Sequence, residues 1–97
     1  MNIQSMMAQA KKMQKDIEEK QNTINNTEYM GNSEWVSITM LGNYSIKKVD
    51  IKRENLDETD IEALGDMIML AFNDAKTKIE QDTSDKMGQY ANLGGLM

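Results

Sequence analysis

Apolar side chains recur every three or four residues along the first two dozen positions. Ile3, Met6, Ala10, Met13, Ile17 and Ile24 keep this spacing, and Lys20 is the one position that breaks it. The period predicts a helix over about 2–25, with Asn2 as its N-cap. Its apolar seam is narrow, as in the a and d positions of a heptad, and a seam of this kind requires a partner. Residues 22–26 are rich in Asn and Thr and should end the helix. The pattern then changes from helical spacing to alternation. Residues 27–30 read as a short strand and 31–34, Gly-Asn-Ser-Glu, as a turn. Over 35–41, Val36, Ile38 and Met40 face one way while Ser37 and Thr39 face the other. Gly42 and Asn43 suit a two-residue hairpin loop. Residues 44–51 form the return strand, where Ile46, Val49 and Ile51 depart from strict alternation. A bulge near Lys47 and Lys48 reconciles them.

A polar connector follows, and Thr59 with Glu62 matches a capping box. The second helix runs from there to about Met87, with Ile61, Leu64, Ile68, Ala71, Phe72, Ala75 and Ile79 as its buried stripe. Gly88 should terminate it, leaving 89–97 as a flexible tail beyond a single domain over 1–88. The fold class is therefore α+β: helix, three-stranded antiparallel meander, helix, in two layers. Both helices outrun a sheet of only about 20 Å. Ile3 and Met6 at one extreme and Ile79 at the other would overhang it, and a sheet edge would stay open. Pairing two chains covers both, which predicts a homodimer with protruding helices. Ile3, Met6, Met13, Ile17, Val36, Ile38, Met40 and Phe72 are the residues expected to pack its core or dimer contact.

Composition narrows the chemistry. The 97 residues hold no Cys and no His, which removes the thiolate, the usual neutral-pH base and the commonest metal ligand. The carboxylates fall on exposed helix positions and in the capping motif, and the six glycines are too scattered for a phosphate loop. No enzyme, metal, cofactor or small-molecule substrate is expected. No apolar run is long enough to span a membrane, and the N-terminus lacks the features of a signal peptide, so a cytoplasmic location is expected. Net charge is −5, unevenly spread: residues 1–53 carry +2 and residues 54–97 carry −7. Lys11, Lys12 and Lys15 stand in the first fifteen residues with no acid among them. Binding to phosphate would have to use this strip, because the overall field is repulsive. The ten Met residues and Trp35 read first as packing residues, with Met6, Met13, Met40 and Met67 at expected core positions.

Several stretches, in order, are similar to one family. Residues 6–15, Met-Met-Ala-Gln-Ala-Lys-Lys-Met-Gln-Lys, resemble the start of the first helix in YbaB/EbfC proteins. Residues 35–42 resemble their Val-x-Val-Thr-x-x-Gly hairpin and 46–51 their third strand. Ala71-Phe72-Asn73-Asp74-Ala75 matches their second-helix core, and Lys86-Met87-Gly88 with a Gly-containing tail also fits. Where the family has a Gly-rich loop before its second strand, this chain has Gly31-Asn32-Ser33-Glu34. The resemblance implies small α+β homodimers with helices projecting from a joined sheet body. It also implies binding to double-stranded DNA, association with the bacterial nucleoid and an influence on gene expression. On that reading Lys11, Lys12 and Lys15 meet phosphates, with Lys76, Lys78 and Lys86 in support. The only arginine, Arg53, lies in a connector, so sequence preference should be weak. Two rivals are a dimeric protein-interaction module without DNA binding, favoured by the acidity, and a secreted helical hairpin of the Trp-x-Gly class. The second lacks its Gly after Trp35-Val36 and has a strand pattern where its turn would be.

Overall fold

The computed structural model describes residues 2–90. Helix α1 spans Ile3–Asn25, strands β1, β2 and β3 span Glu28–Asn32, Val36–Leu41 and Ile46–Ile51, and helix α2 spans Asp60–Met87. A 3-10 turn, Gly88–Tyr90, completes the described chain, and the expected tail lies, from residue 91 on, outside the described residues. The strands form one antiparallel sheet in the order β1-β2-β3. The architecture is the α+β arrangement the sequence predicts, drawn out to 70 × 21 × 16 Å.

Local chemistry sets most boundaries. The Asn2 side chain accepts a hydrogen bond of 2.7 Å from the Gln4 amide, which opens α1 as expected. At the far end the Asn26 side chain and amide both donate to the Asn22 carbonyl. The capping box of α2 is present but displaced. Thr59 makes no cap bond; its hydroxyl donates to Asp57 instead, at 2.5 Å. Asp57 accepts the Thr59 amide at 2.9 Å, and Asp60 accepts the Asp57 amide at 3.0 Å. The capping acceptors are thus Asp57, for Thr59, and Asp60, for the Asp57 amide, since a carboxylate is the stronger acceptor for an amide.

The core lies between α2 and the inner faces of β1 and β2. Tyr29, Val36, Ile38, Met40, Ala71, Ala75 and Ile79 are buried together, with Trp35, Leu64, Met67 and Phe72 packed at the margin. Val36, Ile38 and Met40 alternate with half-exposed neighbours, as expected. Gly31 is not in a turn: β1 continues through Asn32, and the turn before β2 begins at Ser33. A Cβ on Gly31 would run into the Ala71 carbonyl and stand 2.7 Å from the Ala75 Cβ. The bare backbone there is what lets α2 descend onto β1. This seating slides the helix relative to the predicted overhang. Ile79 is buried on the sheet, and the overhang is Ile61, 66% exposed.

The β2–β3 hairpin also differs from expectation. Tyr44 donates its amide to the Leu41 carbonyl at 2.9 Å, and Leu41 donates to Ser45 at 2.8 Å. The loop is therefore three residues, with Tyr44 at φ 69° in the left-handed position that closes such turns. Gly42 serves close approach: a Cβ there would collide with the Ile24 carbonyl and lie 2.7 Å from its Cγ2. Thus α1 seats Ile24, fully buried, under the hairpin and apart from the main core. The expected bulge exists. Thr39 pairs with Lys48 and Met40 with Ile46, which leaves Lys47 extra.

A polar tie joins β1 to α2. Tyr29 donates to Asp82 at 2.5 Å, and Lys86 donates to the same oxygen at 2.5 Å. Burial first, and Asp82 second, push the Tyr29 phenol up to about 12. Lys86 first, and Tyr29 second, hold the Asp82 carboxyl below its ordinary value of 3.8. The sign follows: this contact stabilises the fold above the unfolded carboxylate range and is lost as pH falls through and below 3.8. Replacing Asp82 by Asn should flatten that acid limb in pH-dependent thermal melts. At pH 7 it should cost about 1 kcal/mol, or roughly 4–8 °C in Tm.

Candidate nucleic-acid interface

The cations of this protein fall into two sets. Lys20 pairs with Asp16, Lys47 with Glu28, Lys48 with Asp50 and Arg53 with Asp60. Lys76 pairs with Glu80, Lys78 with Asp74 and Lys86 with Asp82. Arg53 also lies 4.2 Å from the centre of the Trp35 ring, so the only arginine is stacked and paired rather than free. Lys52 donates to the Ser33 carbonyl at 3.1 Å. Lys11, Lys12 and Lys15 form no ion pair among the described residues.

Their setting explains why. Every residue from Asn2 to Lys15 is exposed, and no acid occurs before Asp16. This part of α1 runs about 20 Å at 1.5 Å per residue, with no layer of the fold beneath it. Helical spacing brings Lys11 and Lys15 into one row, with Lys12 beside them. Ile3, Met6, Ala10 and Met13 occupy the opposite face. Ile3 is 73% exposed, and Met6 and Met13 are exposed as well, so these three expected packing residues lack cover among the described residues. Ile17 is half-buried. The projecting helix is two-faced, cationic on one side and apolar on the other.

The second helix presents its lysines differently. Lys78 donates to the Met30 carbonyl at 2.7 Å, and Asp74 accepts the Asn32 amide at 2.9 Å, so this row of α2 fastens the outer edge of β1. The Asn32 amide is the first cause that holds the Asp74 carboxyl below its usual range. Lys86 belongs to the Tyr29–Asp82 tie. Lys76, Lys78 and Lys86 therefore stand close to carboxylates that neutralise much of their field, and α1 and α2 do not share one continuous basic surface.

The open sheet edge expected from the sequence is a second surface, whose β3 residues the sequence reading did not single out. Val49 lies opposite Ile38, Ile51 opposite Val36 and Ile46 opposite Met40. Residues opposed across a ladder share a face, so these three point the same way as the buried core of β2. Helix α2 covers β1 and β2 and leaves β3 outside, and Ile46, Val49 and Ile51 are all exposed. On α2, Ile61, Ile68 and Phe72 flank the Ala71–Ala75–Ile79 stripe on the side away from Asp74 and Lys78, and hence toward β3. Edge strand and helix flank together make one uncovered apolar surface. The broken alternation of β3 hides in the sequence which of its residues face this surface.

No helix among the described residues is long and apolar enough to cross a membrane, and no group of His, Cys, Asp and Glu among them is suited to hold a metal ion. These features define a small α+β protein whose most available cations stand on a projecting helix. The chain belongs to the YbaB/EbfC DNA-binding family, whose model matches residues 1–96. It is 36% identical over 99 residues to a nucleoid-associated protein of Ligilactobacillus salivarius, covering 99% of this chain and 95% of that one. It is 41% identical over 92 residues to one of Lactococcus lactis, with 93% of each chain covered. A third, of Enterococcus faecalis, is 36% identical over 91 residues, covering 92% of this chain and 88% of that one. The family is one of bacterial nucleoid-associated, DNA-binding proteins rather than of enzymes.

Proposed function

We propose that this protein binds double-stranded DNA as a homodimer in the bacterial nucleoid, through phosphate contacts from the exposed face of α1. The observation that carries the reading is the isolation of Lys11, Lys12 and Lys15. Apart from Lys52, which is bonded to a backbone carbonyl, they are the cations without a carboxylate partner among the described residues, on a helix segment without acids. Each lysine that meets a phosphate releases condensed counterions. Two arms with three lysines apiece reach roughly six phosphates, which gives a log–log salt slope of about −5. Lys76, Lys78 and Lys86 contribute less, because contact with DNA requires them to exchange partners they already have. Phosphate contacts carry no sequence information, and Arg53 is stacked on Trp35, so preference among duplex sequences is weak. The test is duplex binding by fluorescence anisotropy across salt, on unrelated sequences. A flat salt response, or no binding at about 100 mM salt, would favour the protein-interaction reading instead.

The homodimer is supported by the uncovered edge. An exposed strand with an apolar inner face and an apolar helix flank beside it is matched best by a second copy of itself about a two-fold axis. Pairing β3 with its symmetry mate continues the sheet and shields Ile46, Val49 and Ile51 along with Ile68 and Phe72. Replacing Val49 by Asp should convert the protein to a monomer in sedimentation velocity. A monomeric wild type would remove the pairing altogether.

A further inference from the structure

The projecting helix is held by very little. Its body end is fixed where Ile24 packs under Gly42. Between Asp16 and Thr23 an open groove of about 640 Å³ separates α1 from α2, lined by Asp16, Glu19, Lys20, Asp85, Lys86 and Gln89 among others, and Ile17 in this stretch is only half-buried. The only hydrogen bonds from α1 to α2 or the 3-10 turn among the described residues end on one carboxylate. Asp16 accepts from the Tyr90 hydroxyl and, at 3.2 Å, from the Gln89 side chain. Lys20 pairs with the same carboxylate oxygen at 3.3 Å and stands 5.3 Å from the centre of the Tyr90 ring. Asp16 is also the residue that follows the exposed stretch ending at Lys15.

We infer that Asp16 and Tyr90 form a clasp that sets the direction of the DNA-binding arm, acting as positioning residues for Lys11, Lys12 and Lys15. The inference rests on the DNA reading given above. With the clasp closed, the free arm is residues 3–15, about 20 Å long. With it open, the nearest firm anchor is Ile24 and the free length rises to about 30 Å. A longer lever spreads the lysines over more directions, and binding must then order them again. The clasp adds no charge to the phosphate contact, so opening it lowers affinity without changing how many counterions are released.

Charge and position can be separated by substitution. Tyr90→Phe removes the hydroxyl's bond at constant charge, leaving only the 3.2 Å bond from Gln89, and should weaken duplex binding about threefold to tenfold with an unchanged salt slope. Asp16→Ala removes one negative charge beside the lysines, so simple electrostatics predicts tighter binding while loss of the clasp predicts weaker binding; weaker binding is expected. Backbone 15N relaxation of residues 5–14, on the full protein without DNA, reads the arm directly. Order parameters should fall from about 0.85 toward 0.6 in Tyr90→Phe, with the values for β1 and β2 unchanged. Unchanged arm order parameters, tighter binding by Asp16→Ala, or a loosened arm with wild-type affinity would each overturn the proposal. Failure of the wild type to bind duplex would defeat the DNA reading, and relaxation would still decide whether the clasp holds the arm.

Discussion

Reversing three charges, Lys11→Glu, Lys12→Glu and Lys15→Glu in one chain, is expected to cost more than a hundredfold in duplex affinity at about 100 mM salt. Availability separates these lysines from the others. A surface lysine already beside a carboxylate offers phosphate only the difference between two similar attractions, and seven of the eleven cations are so placed. The three on the arm are in no such pair, and their nearest acids, Asp16 and Glu19, stand one helical turn from Lys12 and Lys15. Removing roughly six phosphate contacts from a dimer should take the salt slope from about −5 to near zero, since each contact contributes about −0.9. The matched Lys76→Glu, Lys78→Glu, Lys86→Glu variant should lose much less affinity per charge, although it also disturbs the tie at Tyr29. Anisotropy titrations at three salt concentrations distinguish the two variants. Equal losses from both would mean that the arm is not the principal surface.

The largest effect on stability is expected at Gly31. An added Cβ meets backbone, the Ala71 carbonyl, as well as the Ala75 side chain, and a backbone obstacle cannot rotate away. Overpacking of this kind costs about 1–3 kcal/mol when side chains can adjust, and more here, where the whole of α2 must lift from β1. A small domain has about 5–15 kcal/mol in total, so Gly31→Val should be largely unfolded by circular dichroism at 37 °C. Gly65→Ala is the internal contrast: nothing lies within 4 Å of its added Cβ. As a helical glycine it should gain roughly 0.5–1 kcal/mol on substitution. A Gly31→Val protein that melts like the wild type would show that α2 can seat elsewhere.

What the sequence made legible was whatever is decided within a few residues. The Asn2 cap, the burial of Val36, Ile38 and Met40, the bulge at Lys47 and the end of α2 at Met87 all follow from local spacing and local hydrogen bonding. Two features depend on distant partners, and a third on competition among neighbouring carboxylates. Gly31 resembles a turn residue until Ala71 and Ala75 are brought against it. The overhang was assigned to Ile79 because helical periodicity reports which face is apolar but not how far a helix has slid along its sheet. The capping box was read on Thr59 and Glu62, whereas two nearby carboxylates, Asp57 and Asp60, compete more strongly for the same amides. For the candidate site, the lysine row was legible as a run of cations without acids. The isolation of that row could not be read, because it depends on which carboxylates every other cation reaches in the folded chain. The contact between Asp16 and Tyr90 joins residues 74 apart, and nothing near either of them announces it.

Because Ile24 sits outside the main core, this chain is built from two cooperative regions of unequal size. Amide hydrogens in the sheet and in α2 around Ala75 exchange with solvent only when the body itself opens, whereas those near the tip of α1 exchange by fraying alone. A graded protection profile of this sort gives the tip a softness that a uniformly packed helix lacks. On the proposed reading, that softness lets one set of side chains conform to duplexes of differing groove shape.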